Sequence, residues 1–130
     1  PLLLTAPGGT AEEFVRNAAT GMINELGRRP DFIKLLFIEI VEFEGRNLPK
    51  MFTTFYPQVL PVVQRFQKNR KELRSIPPVA LFRAFLGLFF SYYMTEMLLV
   101  HSPVSILSPD HLDHFVDIFL HGVLAKKDNP

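Results

Sequence analysis

Cysteine and tryptophan are missing from this chain, and neither sign of charge predominates. Without thiols there is no disulfide framework and no thiolate metal site, a usage that fits a reducing compartment and leads to the expectation of a cytoplasmic protein. Fourteen basic side chains against thirteen acidic ones leave a formal charge of +1. That balance excludes the dense basic surface needed to neutralise DNA phosphates, so the chain by itself is not expected to hold DNA. Long uninterrupted apolar runs are also missing. The strongest candidate, residues 79–100, carries Arg83 and Glu96, and its uncharged middle spans only 84–95. This is short of the about 18 apolar residues a membrane span needs, so it reads as a buried helix and no membrane partner is expected. The opening PLLLTAPGG has neither a basic start nor an initiator Met. It carries no targeting signal and reads as the start of an excised piece. Catalytic signatures are lacking too: there is no nucleophile elbow, phosphate-binding glycine loop, helical zinc-protease motif or pair of carboxylates in an apolar setting. Ser91 and Ser102 have no evident base in reach, and the chain is not expected to be an enzyme.

What is present is apolar and aromatic. Of 130 residues, 48% belong to the apolar set and thirteen are Phe. A length near the usual domain size predicts one domain, residues 1–130, around one core. Phenyl rings in that number can line a cavity as readily as fill one.

Pro and Gly divide the sequence into five stretches of helical length, none with sustained period-two alternation, which predicts an all-α fold of five to six helices. Thr10 and Glu13 have capping-box spacing ahead of Phe14, Val15, Ala18, Ala19, Met22, Ile23 and Leu26, a clean helical stripe that Gly27 ends. The second stretch starts at Asp31, a good N-cap after Pro30, and runs to Gly45. Its apolar residues cover most of the circumference, so it is expected to be a central helix surrounded by others. The third, from Leu48 to about Asn69, contains Pro57 and Pro61, which predict a kink or break near Phe55 and Tyr56. Lys68 to Ser75 form a basic stretch read as a solvated loop.

The fourth stretch has two unlike sides. Ala80, Ala84, Gly87, Ser91 and Thr95 make a stripe of small residues, while Phe82, Phe85, Phe89, Tyr92 and Glu96 share an aromatic face. The last helix is expected to start at Ser108 with Pro109 in its first turn, with Phe115, Phe119 and Val123 on its apolar side and Gly122 as a close-contact point. Such a helix pair fits a four-helix bundle across a two-fold axis and fits a contact within one chain equally well.

The stretch RRPDFIKLLFIEIVEFEGRNLPKMF resembles the central part of TetR/AcrR-family transcriptional regulators, in which an Arg-Pro-acidic turn leads into a helix with a Leu-Leu-Phe-x-Glu core. Further on, LRSIPPVALFRAFLGLFFSYYMTEMLL resembles that family's long dimerisation helix, and LDHFVDIFLHGVL its closing helix. The resemblance covers about Arg28 to Leu124. It implies a homodimer built on the last two long helices, through Ala84, Gly87, Ser91, Thr95, Phe115, Phe119 and Gly122. It also implies an effector pocket among the preceding helices, and DNA binding only through an N-terminal helix-turn-helix domain that has no counterpart here. In the intact protein, effector binding would lower operator affinity by shifting the population between two states.

The residues expected to line that pocket are Phe37, Phe52, Phe55, Tyr56, Phe89, Tyr92, Tyr93 and Glu96, and the expected effector is small and apolar or aromatic. Each of these side chains could instead fill core. Glu39, among apolar neighbours, is a candidate anchor for Arg46 or Arg83, or a solvated exit from its helix. His114, Asp117 and His121 fall on one helix side, but one surface helix offers no closed shell; no metal and no cofactor are expected. The competing reading is a helical dimerisation module without a small-molecule ligand.

Overall fold

The computed structural model describes residues 9–68, 70–99 and 111–125. They form five helices, which we number α1 (Ala11–Arg28), α2 (Pro30–Glu42), α3 (Leu48–Gln67), α4 (Pro78–Leu99) and α5 (His111–Val123). The fold is all-α. Against α1 pack α2, α4 and α5, while α4 also meets α3 and α5.

Local chemistry accounts for most of the boundaries. Thr10 caps α1, its Oγ1 accepting from the Glu13 amide at 3.1 Å. The return contact of the expected capping box is displaced by one residue, because the Glu13 carboxylate accepts from the Gly9 amide at 3.0 Å. Pro30 opens α2 as its first helical residue, where a missing N–H costs nothing. Asp31 therefore sits inside the first turn and Arg29 at the cap, two residues earlier than expected. After α2 the chain reverses through Glu44 and Gly45, both in the left-handed region at φ 55° and 70°. The expected start of the last helix at Ser108 and Pro109 lies outside the described residues.

The expected break in α3 is absent: the helix continues through Pro57 and Pro61. Four residues apart, both prolines fall on one exposed side of the helix, so the carbonyls they leave without a donor face water. The opposite side supplies Val59 and Phe66 to the core.

The core gathers where α1, α4 and α5 meet, around Val15, Ala19, Met22, Phe89, Val116, Phe119 and Leu120. Phe89 is fully buried, with the rings of Phe85 and Phe119 at 4.8 and 6.0 Å between centroids. The end of α3 joins through Phe66, stacked on Phe14 at 4.9 Å. By length and composition α4 could cross a membrane; the expectation of a buried helix is corrected, because of its 22 residues only Leu81, Phe82, Phe89 and Met94 are buried in this bundle.

The expectation that α2 is central is corrected by its placement. Only Ile33 is buried, and Leu35, Phe37, Ile38, Ile40, Val41 and Phe43 are exposed. The single residue between α1 and α2 sets α2 beside the end of α1, and its far side meets no other described helix closely enough to be covered.

Candidate functional site

The eight side chains expected at the pocket separate into two groups. On α3, Phe52 and Tyr56 lie one turn apart with rings nearly parallel at 5.3 Å. Phe55 and Tyr56 both lean on Phe82 of α4, at 6.3 and 5.8 Å. This makes Phe82, left out of the expected set, the hub of the group. Its position on the aromatic side of α4 was the available signal. Phe52 and Phe55 remain 38% and 44% exposed, so this part of α3 presents an aromatic platform rather than a filled core, whereas Phe37, 45% exposed on α2, makes no ring contact with it.

The second group turns towards α5. Phe89 belongs to the central core, and Tyr92 packs edge-on against Phe115 at 5.0 Å. Burial raises the Tyr92 phenol above its ordinary value, and the charge of Glu96, one turn along, adds to the shift. Tyr93 points to a third place, donating to the Leu26 carbonyl of α1 at 3.4 Å. The structure therefore brings Phe52, Phe55 and Tyr56 together, and does not bring Phe89 and Tyr92 into the same group.

Beside the platform lies an open depression of about 390 Å³ lined by Asn47, Lys50, Met51, Thr54, Phe55 and Gln58. Its Asn47 is held by Glu39, whose carboxylate accepts from the Asn47 amide at 2.6 Å and from its Nδ2 at 3.2 Å. This clamp replaces the expected pairing of Glu39 with Arg46 or Arg83, and it ties the end of α2 to the start of α3. Sequence reasoning missed it because the two residues lie eight apart across a helix reversal, outside any single-helix spacing rule. Thr53 and Thr54 donate back to the Lys50 carbonyl at 2.9 Å each, and Met51 is exposed.

The outer surface of α4 and α5 is the other candidate. Ala84, Gly87, Ser91 and Thr95 are all exposed, on the side of α4 opposite Phe82, Phe85 and Phe89. A Cβ built on Gly87 or Gly122 meets no atom within 4 Å. Phe115 and Phe119, expected at this surface, point the other way: Phe119 packs against Phe85 and Phe89, and Phe115 against Tyr92. The outward side of α5 consists instead of His114, Asp117, Ile118, His121 and Gly122. His121 and Asp117 pair at 3.2 Å. Among the described residues, no group of three or more His, Asp or Glu side chains is placed to hold a metal ion.

At the far edge of α5, Arg16 of α1 bonds both Glu12 and Asp113. Glu12 first and Asp113 second hold its guanidinium above the ordinary arginine value. All three side chains are exposed, so this contact registers α1 against α5 without contributing much stability. Comparison with family models, with curated proteins and with solved structures finds no match for this chain.

Proposed function

We propose that this chain is the effector-binding and dimerisation domain of a TetR-type transcriptional repressor, working as a homodimer in the cytoplasm and controlling DNA through a helix-turn-helix domain elsewhere in the intact protein. The observation that carries the reading is the exposed stripe Ala84, Gly87, Ser91 and Thr95, facing away from the core along the longest helix. Small, uncharged side chains on a long helix surface allow a second helix to approach closely, and a stripe with Gly87 at its centre and Gly122 near it on α5 suits a two-fold four-helix contact. On the outward side of α5, Ile118 at 61% exposure adds one large apolar side chain among His114, Asp117 and His121.

The effector half of the reading rests on the platform of Phe52, Phe55 and Tyr56 against Phe82. Exposed stacked rings suit a flat apolar or aromatic molecule, which gains area against several faces at once. Bound there, an effector would touch α3 and α4 together and favour whichever separation of the two subunits accommodates it. The test is calorimetric titration with 1-naphthol. Saturable binding at one molecule per chain, lost in Phe52→Ala and retained in Phe89→Leu, supports an effector site on the platform. Absence of binding, or binding indifferent to Phe52, removes the effector half.

A second reading, a helical dimerisation module with no small-molecule ligand, is favoured by one observation. Phe89 and Tyr92, half of the α4 set expected to line a pocket, are engaged with core rings, and the depression beside the platform is open rather than enclosed.

A further inference from the structure

The connection between α3 and α4 carries Lys68, Arg70, Lys71 and Arg74 against one acid, Glu72. Four cations and one anion leave +3 on this short stretch of a chain whose total is +1. Among the described residues no ion pair reaches any of the four cations. Two of them, Arg70 and Arg74, line one depression of about 340 Å³ together with Gln67, Leu73, Ser75 and Ile76. Both guanidinium groups are positioned by neutral partners. Arg70 lies over the Phe66 ring at 5.2 Å, and Arg74 Nη1 donates to the Gly122 carbonyl at 2.8 Å. Neither contact cancels charge. A guanidinium has five N–H donors in a planar fork, so each retains donors for an anion.

The loop is also held in shape. The Arg74 amide donates to the Val123 carbonyl at 2.7 Å, and the Ala125 amide to the Glu72 carbonyl at 2.8 Å. Gln67 Nε2 donates to the Ile76 carbonyl at 2.7 Å across the base of the depression. Binding would therefore cost little ordering of the backbone. A freely solvated basic loop has none of these three ties.

We propose that this depression binds the phosphoryl group of a small phosphomonoester, with Arg70 and Arg74 as the charged donors and the Ser75 hydroxyl at its rim. Two unpaired guanidinium forks match phosphate oxygens in geometry and charge. The volume exceeds that of a bare phosphate and leaves room for the organic part of a small ester. The site lies at the other end of α3 from the aromatic platform, and it does not depend on the effector reading.

The experiment is a titration of the chain with phenyl phosphate and with inorganic phosphate at constant ionic strength, followed by amide NMR. Saturable shifts confined to residues 67–76 and 122–125 are expected, weakened at least about tenfold in Arg70→Gln and unchanged in Lys34→Gln, which removes a cation on α2. Arg74→Lys, which keeps the charge but loses the fork, is expected to weaken binding with the α5 amide shifts preserved. Sodium chloride producing the same shifts, or equal losses in Arg70→Gln and Lys34→Gln, would overturn the site in favour of a diffuse ion atmosphere. Binding to phosphatidylglycerol vesicles without binding to phenyl phosphate would overturn it in favour of a lipid surface.

Discussion

Phe89 shows how one residue can be chemically suited to one role and sterically committed to another. Its ring is fully buried between Phe85 and Phe119, so truncation leaves a cavity that three helices would have to collapse into. Phe89→Ala should cost about 3–5 kcal/mol of stability, measured by urea unfolding. Phe52→Ala, on an exposed ring, should cost less than about 1 kcal/mol. Equal costs would mean that the platform is core. Tyr92 gives a pH signature. Its phenol is raised by burial and by Glu96, so the folded state keeps the proton after the unfolded chain has lost it. The contribution is complete below the ordinary tyrosine value near about 10 and disappears as pH rises through the higher folded value. Tyr92→Phe should therefore lose less stability than the parent chain as pH rises above the ordinary tyrosine value of about 10, read from unfolding midpoints at each pH.

Among the elements, α4 has the most telling asymmetry, with aromatic rings packed on one side and small residues in solvent on the other. Gly87 separates two explanations of that stripe. In an isolated chain its Cβ position is open, so Gly87→Ala should gain about 0.5–1 kcal/mol from helix propensity alone. If a second helix lies against the stripe, Gly87→Leu should weaken association while leaving the monomer folded. Thermal unfolding of the two variants at low and high protein concentration distinguishes these effects. The helices themselves were legible from periodicity and punctuation: Thr10, Pro30 and the Pro77-Pro78 pair lie at or next to the ends they suggested, while the second helix stops at Glu42, three residues short of Gly45. Two features were not. Proline chemistry was read as a kink or break in α3, and the break does not occur, because two prolines spaced one turn apart can share a solvent-facing side and leave the helix continuous. The all-round apolar pattern of α2 was read as a central position, yet periodicity records how much of a helix can be buried, not which neighbour does the burying.

On the scale of the whole molecule, the apolar surface of α2, the aromatic platform on α3 and the small-residue stripe on α4 are more than a solitary bundle needs to expose. The candidate site was half legible for the same reason. Residues one turn apart on α3 group together as sequence spacing says, whereas the division of the α4 rings between Phe82 and Phe89 depends on how α3 and α5 cross α4, a tertiary fact without a local signature. Glu39 and Asn47 likewise meet only because the chain reverses between them. If the outer surface of α4 and α5 is the two-fold interface proposed above, native mass spectrometry of the parent chain beside Gly87→Arg will show it. A dimer at micromolar concentration that becomes a folded monomer in Gly87→Arg is the expected result. A parent chain that stays monomeric, or a dimer unaffected by Arg at position 87, would contradict it.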